Sequence, residues 1–208
     1  MTAILYSFRR CPYAMRARLA IASAGVRVEL REIVLRDKAP EFIAASPKAT
    51  VPVVANGAEV IEESYDVMLW ALGQNDPEGW LTQTDETLIA EADGPFKTAL
   101  DRYKYASRYD DVDASEERAT ASEFLSKLND RLAPTGWLMG DKPRLPDMAI
   151  LPFVRQFAHV DLDWFTAHPW PHLIAWLEGF KSSPRFARIM KKYPRWNTGD
   201  PVTIFPEE

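Results

Sequence analysis

Two short apolar runs near the start of the chain are separated by a segment with helical periodicity. ILYSF, residues 4 to 8, reads as a buried strand, and VRVELREIV alternates apolar side chains at Val26, Val28 and Leu30 as a strand does. Between them Met15, Leu19 and Ala22 recur at the i, i+4 and i+7 spacing of one helix face, after Pro12 and before Gly25. A strand, a helical crossover and a second strand should pair in parallel, since parallel strands need such a crossover and a tight hairpin cannot join them. The chain is therefore committed early to a sheet covered by helices.

The pattern continues in the same register of signals. DKAPEFIAAS reads as a short helix with Asp37 as candidate N-cap, VPVVA as a third strand, and EVIEE as a fourth. Asn56-Gly57 between the last two is a two-residue hairpin signal, so these strands should be antiparallel. Ser64 is the candidate N-cap of the helix YDVMLWALGQ. The order over residues 1–74 is β-α-β-α-β-β-α, a small mixed sheet with helices on its faces. NDPEGW, residues 75 to 80, is polar, carries Pro77 and Gly79, and reads as a linker. Beyond it the strand signals stop. Residues 83–109, 115–132, 146–160, 170–182 and 184–192 read as helical, with Gly94-Pro95 kinking or breaking the first. An all-α second domain over residues 83–208 follows, with a turn-rich segment after residue 192 that wraps back over the surface.

Charge and cysteine content narrow the function. The formal net charge of −5 and the lack of a long basic cluster argue against nucleic acid and a membrane surface as partners. No apolar run approaches the length of a membrane span, and the first residues do not resemble a signal peptide. One cysteine cannot form an intramolecular disulfide, which points to a reducing, cytoplasmic setting.

That cysteine is Cys11, in RRCPYAMRAR, directly before the proline that opens the first helix. Orphan N–H groups and the positive end of the helix dipole face such a position and favour thiolate over thiol. Arg9 and Arg10 would add to this if they point inward. A thiolate is the form that attacks disulfides and electrophiles. The plain alternative is a buried, inert cysteine. Two further features lie far off in sequence. Val51-Pro52 stands at the start of the third strand, where proline cannot donate a ladder hydrogen bond. Glu63-Ser64 stands at a helix N-terminus, either as a cap or as an anchor for a ligand's ammonium and carboxylate.

In this order and spacing, CPYAMRARLAI, SPKATVPVV, IEESYDV and LMGDKPRLPDMAILPF resemble the glutathione transferase superfamily over nearly the whole chain. The nearest likeness is to its cysteine-containing branch: omega-class enzymes, their bacterial relatives and two-domain glutaredoxins. The resemblance implies a thioredoxin-like domain followed by an all-helical one, with glutathione as cosubstrate and no metal. It implies that Cys11 is the nucleophile and that Val51 pairs its backbone with the cysteinyl part of glutathione. Pro52 would be the cis-proline, Glu63 and Ser64 would hold the γ-glutamyl end, and Lys38 aligns with a glutathione-contacting lysine. It further implies a homodimer acting on a small-molecule or glutathionylated second substrate.

Two positions depart from the family pattern. Ala14 stands where glutaredoxins often carry a second cysteine, which excludes a dithiol mechanism within CPYA. Arg144 stands three residues before Asp147, where the family commonly has Ser or Thr. The resemblance also implies that Phe96, Tyr103, Tyr105 and Tyr109 line a cosubstrate pocket, against the simpler reading that they and Trp164, Trp170 and Trp176 are core. His159, His168 and His172 fall in no metal-ligand pattern.

The expected activity is thiol transfer through a Cys11–glutathione mixed disulfide. Conjugation is the enzymatic alternative, with Tyr6, Ser7 or Tyr13 as donor to the glutathione thiolate. A non-catalytic binding or regulatory protein on the same fold is the other alternative.

Overall fold

The computed structural model describes residues 2–207. Its first unit opens with β1 (Ile4–Ser7), α1 (Pro12–Ala24) and β2 (Val28–Glu32), then α2 (Pro40–Ala45), β3 (Val53–Asn56), β4 (Glu59–Ile61) and α3 (Ser64–Gln74). β1 and β2 are parallel, with Leu5 opposite Leu30, as expected from the helical crossover. β3 runs antiparallel to both β1 and β4. The expected β-α-β-α-β-β-α order is therefore present.

The local reasons hold with small shifts. Gly25 ends α1 at φ 67°, a left-handed conformation that favours glycine, and its N–H donates to the Ile21 carbonyl. The hairpin turn lies one residue later than its sequence signal suggests. Asn56 pairs with Glu59, and the two loop residues are Gly57 and Ala58. Gly57 has φ 65°, which suits the first central position of a II′ turn. Asp37 does not cap α2. Ala39 takes the N-cap position, Pro40 opens the helix, and the Asp37 N–H donates to Val34 in a turn.

The strand signals do not end with the first domain. Ile204–Phe205 forms β5, pairing antiparallel with β2 so that Phe205 faces Val28. The sheet order is β4-β3-β1-β2-β5. Residues 183–207, assigned from sequence to the helical domain, group with residues 2–79. The physical reason is a set of backbone and side-chain links to β2 and its neighbours. The Trp196 N–H donates to the Glu32 carbonyl (2.9 Å), and the Leu30 N–H donates to Thr203 (2.8 Å). The Arg31 guanidinium lies 4.2 Å from the Trp196 ring centroid. α10 (Pro184–Ile189) belongs to this unit, and its Ile189 carbonyl accepts from the buried Arg18.

The second unit, residues 80–182, is helical: α4 (Glu86–Glu91), α5 (Lys97–Lys104), α6 (Ala114–Leu132), α7 (Leu145–Ala158), α8 (Leu162–Ala167) and α9 (Pro171–Lys181). Between α4 and α5 the chain makes a π-helical turn over Ala92–Phe96, where Gly94-Pro95 disturbs the α-helical ladder. Phe96 and Tyr103 pack around Phe157 with centroid distances of 6.2 and 5.4 Å, so both serve the aromatic core of this unit. Tyr105 lies under Arg108, and Tyr109 is exposed. Trp170 Nε1 donates to Ser126, and the Asn129 side-chain oxygen accepts from the N–H groups of His172 and Leu173 at the start of α9.

Asp147 has a larger part than its position alone suggests. It is fully buried at the third residue of α7, and one carboxylate oxygen accepts from the Arg144 N–H (2.9 Å). The other accepts from the Leu138 N–H (2.9 Å) and Trp176 Nε1 (3.2 Å). Arg144 contributes its backbone amide, so the missing Ser or Thr at that place does not prevent the carboxylate from tying the helix start together. Among the described residues no helix is long and apolar enough to cross a membrane.

Candidate functional site

Cys11 occupies the N-cap position of α1, with extended backbone (φ −73°, ψ 124°). Its side chain makes no cap bond, and Pro12 follows at the first helical position, where a missing N–H costs nothing. The Cys11 N–H is held by the Phe8 carbonyl (2.9 Å), and its own carbonyl accepts from Met15 (2.9 Å). These bonds fix the thiol at the junction of β1 and α1. Behind it lies an apolar bed of Tyr6, Ala14, Ile33, Phe42, Val51 and Val53. The sulfur is half-buried and lies 3.7 Å from the Val51 carbonyl oxygen.

A cavity of about 470 Å³ opens beside the sulfur, lined by Cys11, Tyr13, Leu35, Lys38, Ala49, Thr50, Val51, Pro52, Glu62, Glu63 and Ser64. All six residues singled out from the sequence as site residues are on this wall. Val51–Pro52 is a cis peptide bond, as the family pattern implies. Glu63, not Ser64, takes the N-cap position of α3, and among the described residues its side chain makes no capping bond. Its carboxylate instead meets Lys48 at 3.1 Å and stays largely exposed. Ser64 is the first helical residue, is buried, and accepts a hydrogen bond from Arg16 Nη1 at 3.5 Å. Unlike Glu63, Lys38 has no ion pair or hydrogen bond among the described residues.

The wall carries charges of both signs. Lys38 supplies a cation. Glu62 and Glu63 supply carboxylates, bridged by Lys48. A hydrogen bond from Ser46 (2.6 Å), reinforced by Lys48, holds the Glu62 carboxyl below the usual range. Hydrogen bonds to Glu63 and then Glu62 raise the Lys48 ammonium above its ordinary value. The backbone N–H groups of the first turn of α3 add further donors.

The arginines around Cys11 do not all turn toward it. The Arg9 guanidinium donates to the Met190 carbonyl (3.1 Å), and Arg10 lies over the Phe8 ring. Neither lines the cavity, so the inward-turned arginines considered from the sequence are not found beside the sulfur. Two of the alternative thiolate donors are also turned away. Ser7 is fully buried, and the Tyr6 hydroxyl accepts from Arg31 Nη1 (2.9 Å); neither lines the cavity. Tyr13 does line it. Leu35, Ala49, Thr50 and Glu62 were not singled out from the sequence. Ala49 and Thr50 lie within the quoted SPKATVPVV segment, and Glu62 precedes the Glu63-Ser64 pair, so proximity to those motifs was the available signal. Leu35 carried none.

Comparison with known proteins matches this geometry to a family. Residues 5–79 match the description "Glutathione S-transferase, N-terminal domain", and residues 87–179 match "Glutathione S-transferase, C-terminal domain". The chain belongs to the glutathione S-transferase superfamily. Among relatives of this glutathione S-transferase family member, Glutathione S-transferase 4 of Zea mays is 27% identical, over 91% of this chain and 92% of its own. Glutathione S-transferase omega-1 of Mus musculus is 25% identical, over 86% of this chain and 77% of its own. A solved glutathione transferase family member from Pseudomonas fluorescens, described with two glutathione molecules bound, shares the fold at a TM-score of 0.76 and 16% identity, covering 91% of this chain and 92% of that one. The superfamily uses glutathione as cosubstrate. Among the described residues no group of three or more His, Cys, Asp or Glu is arranged to hold a metal ion.

Proposed function

We propose that this protein is a glutathione-dependent thioltransferase in which Cys11 is the nucleophile. The observation that supports the reading is the gathering of the one cysteine, a cation at Lys38, and the Glu63-Ser64 helix start around a single cavity. Glutathione is a zwitterionic tripeptide with its thiol in the middle residue, and the same wall that carries the Cys11 sulfur also carries a cation and carboxylates that suit its charged ends. In the proposed mode the γ-glutamyl end meets Glu63, Ser64 and the first turn of α3. The cysteinyl backbone pairs with Val51 beside Pro52, and the glycyl carboxylate meets Lys38.

The chemistry follows from a monothiol. The Cys11 thiolate attacks the glutathionyl sulfur of a mixed disulfide, forming a Cys11–glutathione disulfide. The departing thiolate takes a proton from solvent. A second glutathione, as thiolate, attacks the glutathionyl sulfur of that intermediate, releasing oxidised glutathione and restoring the Cys11 thiolate. Over the cycle one free glutathione thiol is oxidised, the glutathionyl group of the substrate disulfide becomes the other half of oxidised glutathione, and the rest of the substrate leaves as a thiol. Ala14 in place of a second cysteine excludes intramolecular resolution within CPYA.

Conjugation of glutathione to small electrophiles is the second reading. Its donor would be Tyr13, which is on the same wall, and not Tyr6 or Ser7, which are not. An activity panel with glutathione separates the two: thiol transfer and dehydroascorbate reduction on one side, aromatic conjugation on the other. The reading expects the first pair to dominate in the parent protein. Conjugation alone would reject it. The expected homodimer and reducing compartment belong to the same reading, carried by the family resemblance and the single cysteine.

A further inference from the structure

Asp37 leaves the capping of α2 to Ala39, and its carboxylate meets Arg195 Nη1 at 2.5 Å, 158 residues further along the chain. The same guanidinium donates through Nη2 to the Asp37 main-chain carbonyl (3.3 Å). That carbonyl belongs to the planar peptide unit that carries the Lys38 N–H. Three residues beyond Lys38, the Glu41 carboxylate in the first turn of α2 accepts from the Thr198 hydroxyl. Arg195 and Thr198 therefore grip the chain on either side of Lys38, which lines the cavity together with Leu35. Both belong to a return segment after α10 that is itself firmly seated. Phe205 is fully buried opposite Val28, and the Trp196 N–H donates to the Glu32 carbonyl at the end of β2 (2.9 Å). The Asn197 N–H donates to the Asp200 carboxylate (2.7 Å), which closes the turn that presents Thr198. The Arg195 and Asp37 side chains are 42% and 63% exposed, so their ion pair adds little to global stability. Its effect is local, on a segment that has left the sheet and turns through the bond from the Asp37 N–H to the Val34 carbonyl (3.0 Å).

We propose that Arg195 and Thr198 are positioning residues for the Lys38 side of the cavity: the return segment straps the chain between β2 and α2 and holds its cation in place before a ligand arrives. This rests on the proposed meeting of Lys38 with the glycyl carboxylate of glutathione. A segment already ordered in the free protein does not have to be ordered at the moment of binding. The benefit therefore falls on affinity and not on the chemical step at Cys11.

The test combines Arg195→Met with Thr198→Val, which removes the donors and keeps most of the bulk. Calorimetric Kd for glutathione should rise about threefold to tenfold, the scale of ordering one long side chain, with kcat near that of the parent. Hydrogen exchange should quicken at the amides of residues 35–39 and stay unchanged in β1 and α1. An unchanged Kd would overturn the proposal. So would faster exchange throughout the sheet with kcat lost as well, the mark of a general structural role. In a Lys38→Met background the strap substitutions should weaken binding by less than about twofold, because the group they position is gone. A full further loss there would reject action through Lys38. Should the double variant fail to fold, Arg195→Met alone, at an exposed position, carries the same comparisons. Lys38→Met that binds glutathione as tightly as the parent would overturn the placement of the glycyl carboxylate, and the strap's role with it. Weak binding by Lys38→Met beside a silent strap variant would overturn the strap alone.

Discussion

The sulfur of Cys11 lies 3.7 Å from the carbonyl oxygen of Val51, forty residues further along the chain. The contact joins the helix start after β1 to the residue before the cis-proline that precedes β3. A ligand that pairs with the Val51 backbone is thereby brought to the sulfur. Proximity and orientation of this kind lower the entropic part of a barrier before any chemistry begins.

The first expectation concerns the sulfur directly. Cys11→Ala and Cys11→Ser should both abolish thiol transfer, because the chain has no other cysteine and a hydroxyl cannot form a disulfide. Cys11→Ser should gain conjugation activity relative to Cys11→Ala, since its hydroxyl can hydrogen-bond a glutathione thiolate and leave it free to attack. After exposure to oxidised glutathione, mass spectrometry should find one adduct, on the peptide containing Cys11. An unmodified peptide, together with full activity in Cys11→Ala, would transfer the role to Tyr13.

Ser64 and Glu63 should not weigh equally. Ser64 is 5% exposed, whereas the Glu63 side chain is 68% exposed and shared with Lys48. A buried hydrogen bond to a charged group is worth about 1.5–3 kcal/mol, an exposed ion pair about 0–1 kcal/mol. Ser64→Ala should therefore raise the KM for glutathione about tenfold or more, and Glu63→Ala by a few-fold. Equal effects would mean that the ligand covers Glu63 and displaces water from it.

Legibility from sequence followed the range of the interactions. Cys11, Val51-Pro52 and Glu63-Ser64 were readable because each sits in a short motif whose chemistry is local. β5 was not, because two residues between polar turns carry no period, and their strand character comes only from Val28 and Glu29 across the sheet. The hairpin slipped by one residue because both Asn56-Gly57 and Gly57-Ala58 have acceptable turn chemistry. The neighbouring strand decides between them through the Asn56–Glu59 pairing. Arg16 and Arg18 on α1 look solvent-facing by residue type. Their burial depends on Ser64, Glu32 and Ile189, none of them near in sequence.

Arg18 and Glu32 yield a stability prediction. The Arg18 side chain is 0% exposed and paired with Glu32, which also accepts from the Arg9 N–H at 2.7 Å. Glu32→Ala leaves the Arg18 guanidinium without its ion partner and should cost about 3–5 kcal/mol. Arg18→Met combined with Glu32→Leu should recover a large part of that loss, because the unpaired charge goes with it. Urea titration of the three variants measures both quantities. A double variant no more stable than Glu32→Ala alone would show that the bonds to Arg9 and Ile189, and not charge burial, dominate.

Asp147 makes the stability of the protein depend on pH in a direction opposite to most carboxylates. Burial raises it from an ordinary 3.8 to about 6, although the N–H groups of Leu138 and Arg144 and the Trp176 indole pull it down. Between about pH 4 and 6 the folded chain therefore holds a proton at this site that the unfolded chain has released. Stability falls with rising pH wherever the folded state binds more protons, so the contribution of this group is full below pH 4 and declines until about pH 6. The span corresponds to about 3 kcal/mol. Asp147→Asn does not titrate, and it sets an amide NH₂ against at least one of the three donors, a buried mismatch that costs about 1–3 kcal/mol. The parent should therefore be more stable than Asp147→Asn at pH 4.5, and the gap should narrow as pH rises to 7. Urea unfolding at four or five pH values follows the gap directly. If it widens with pH instead, the three donors outweigh burial and Asp147 is a carboxylate stabilised by its partners.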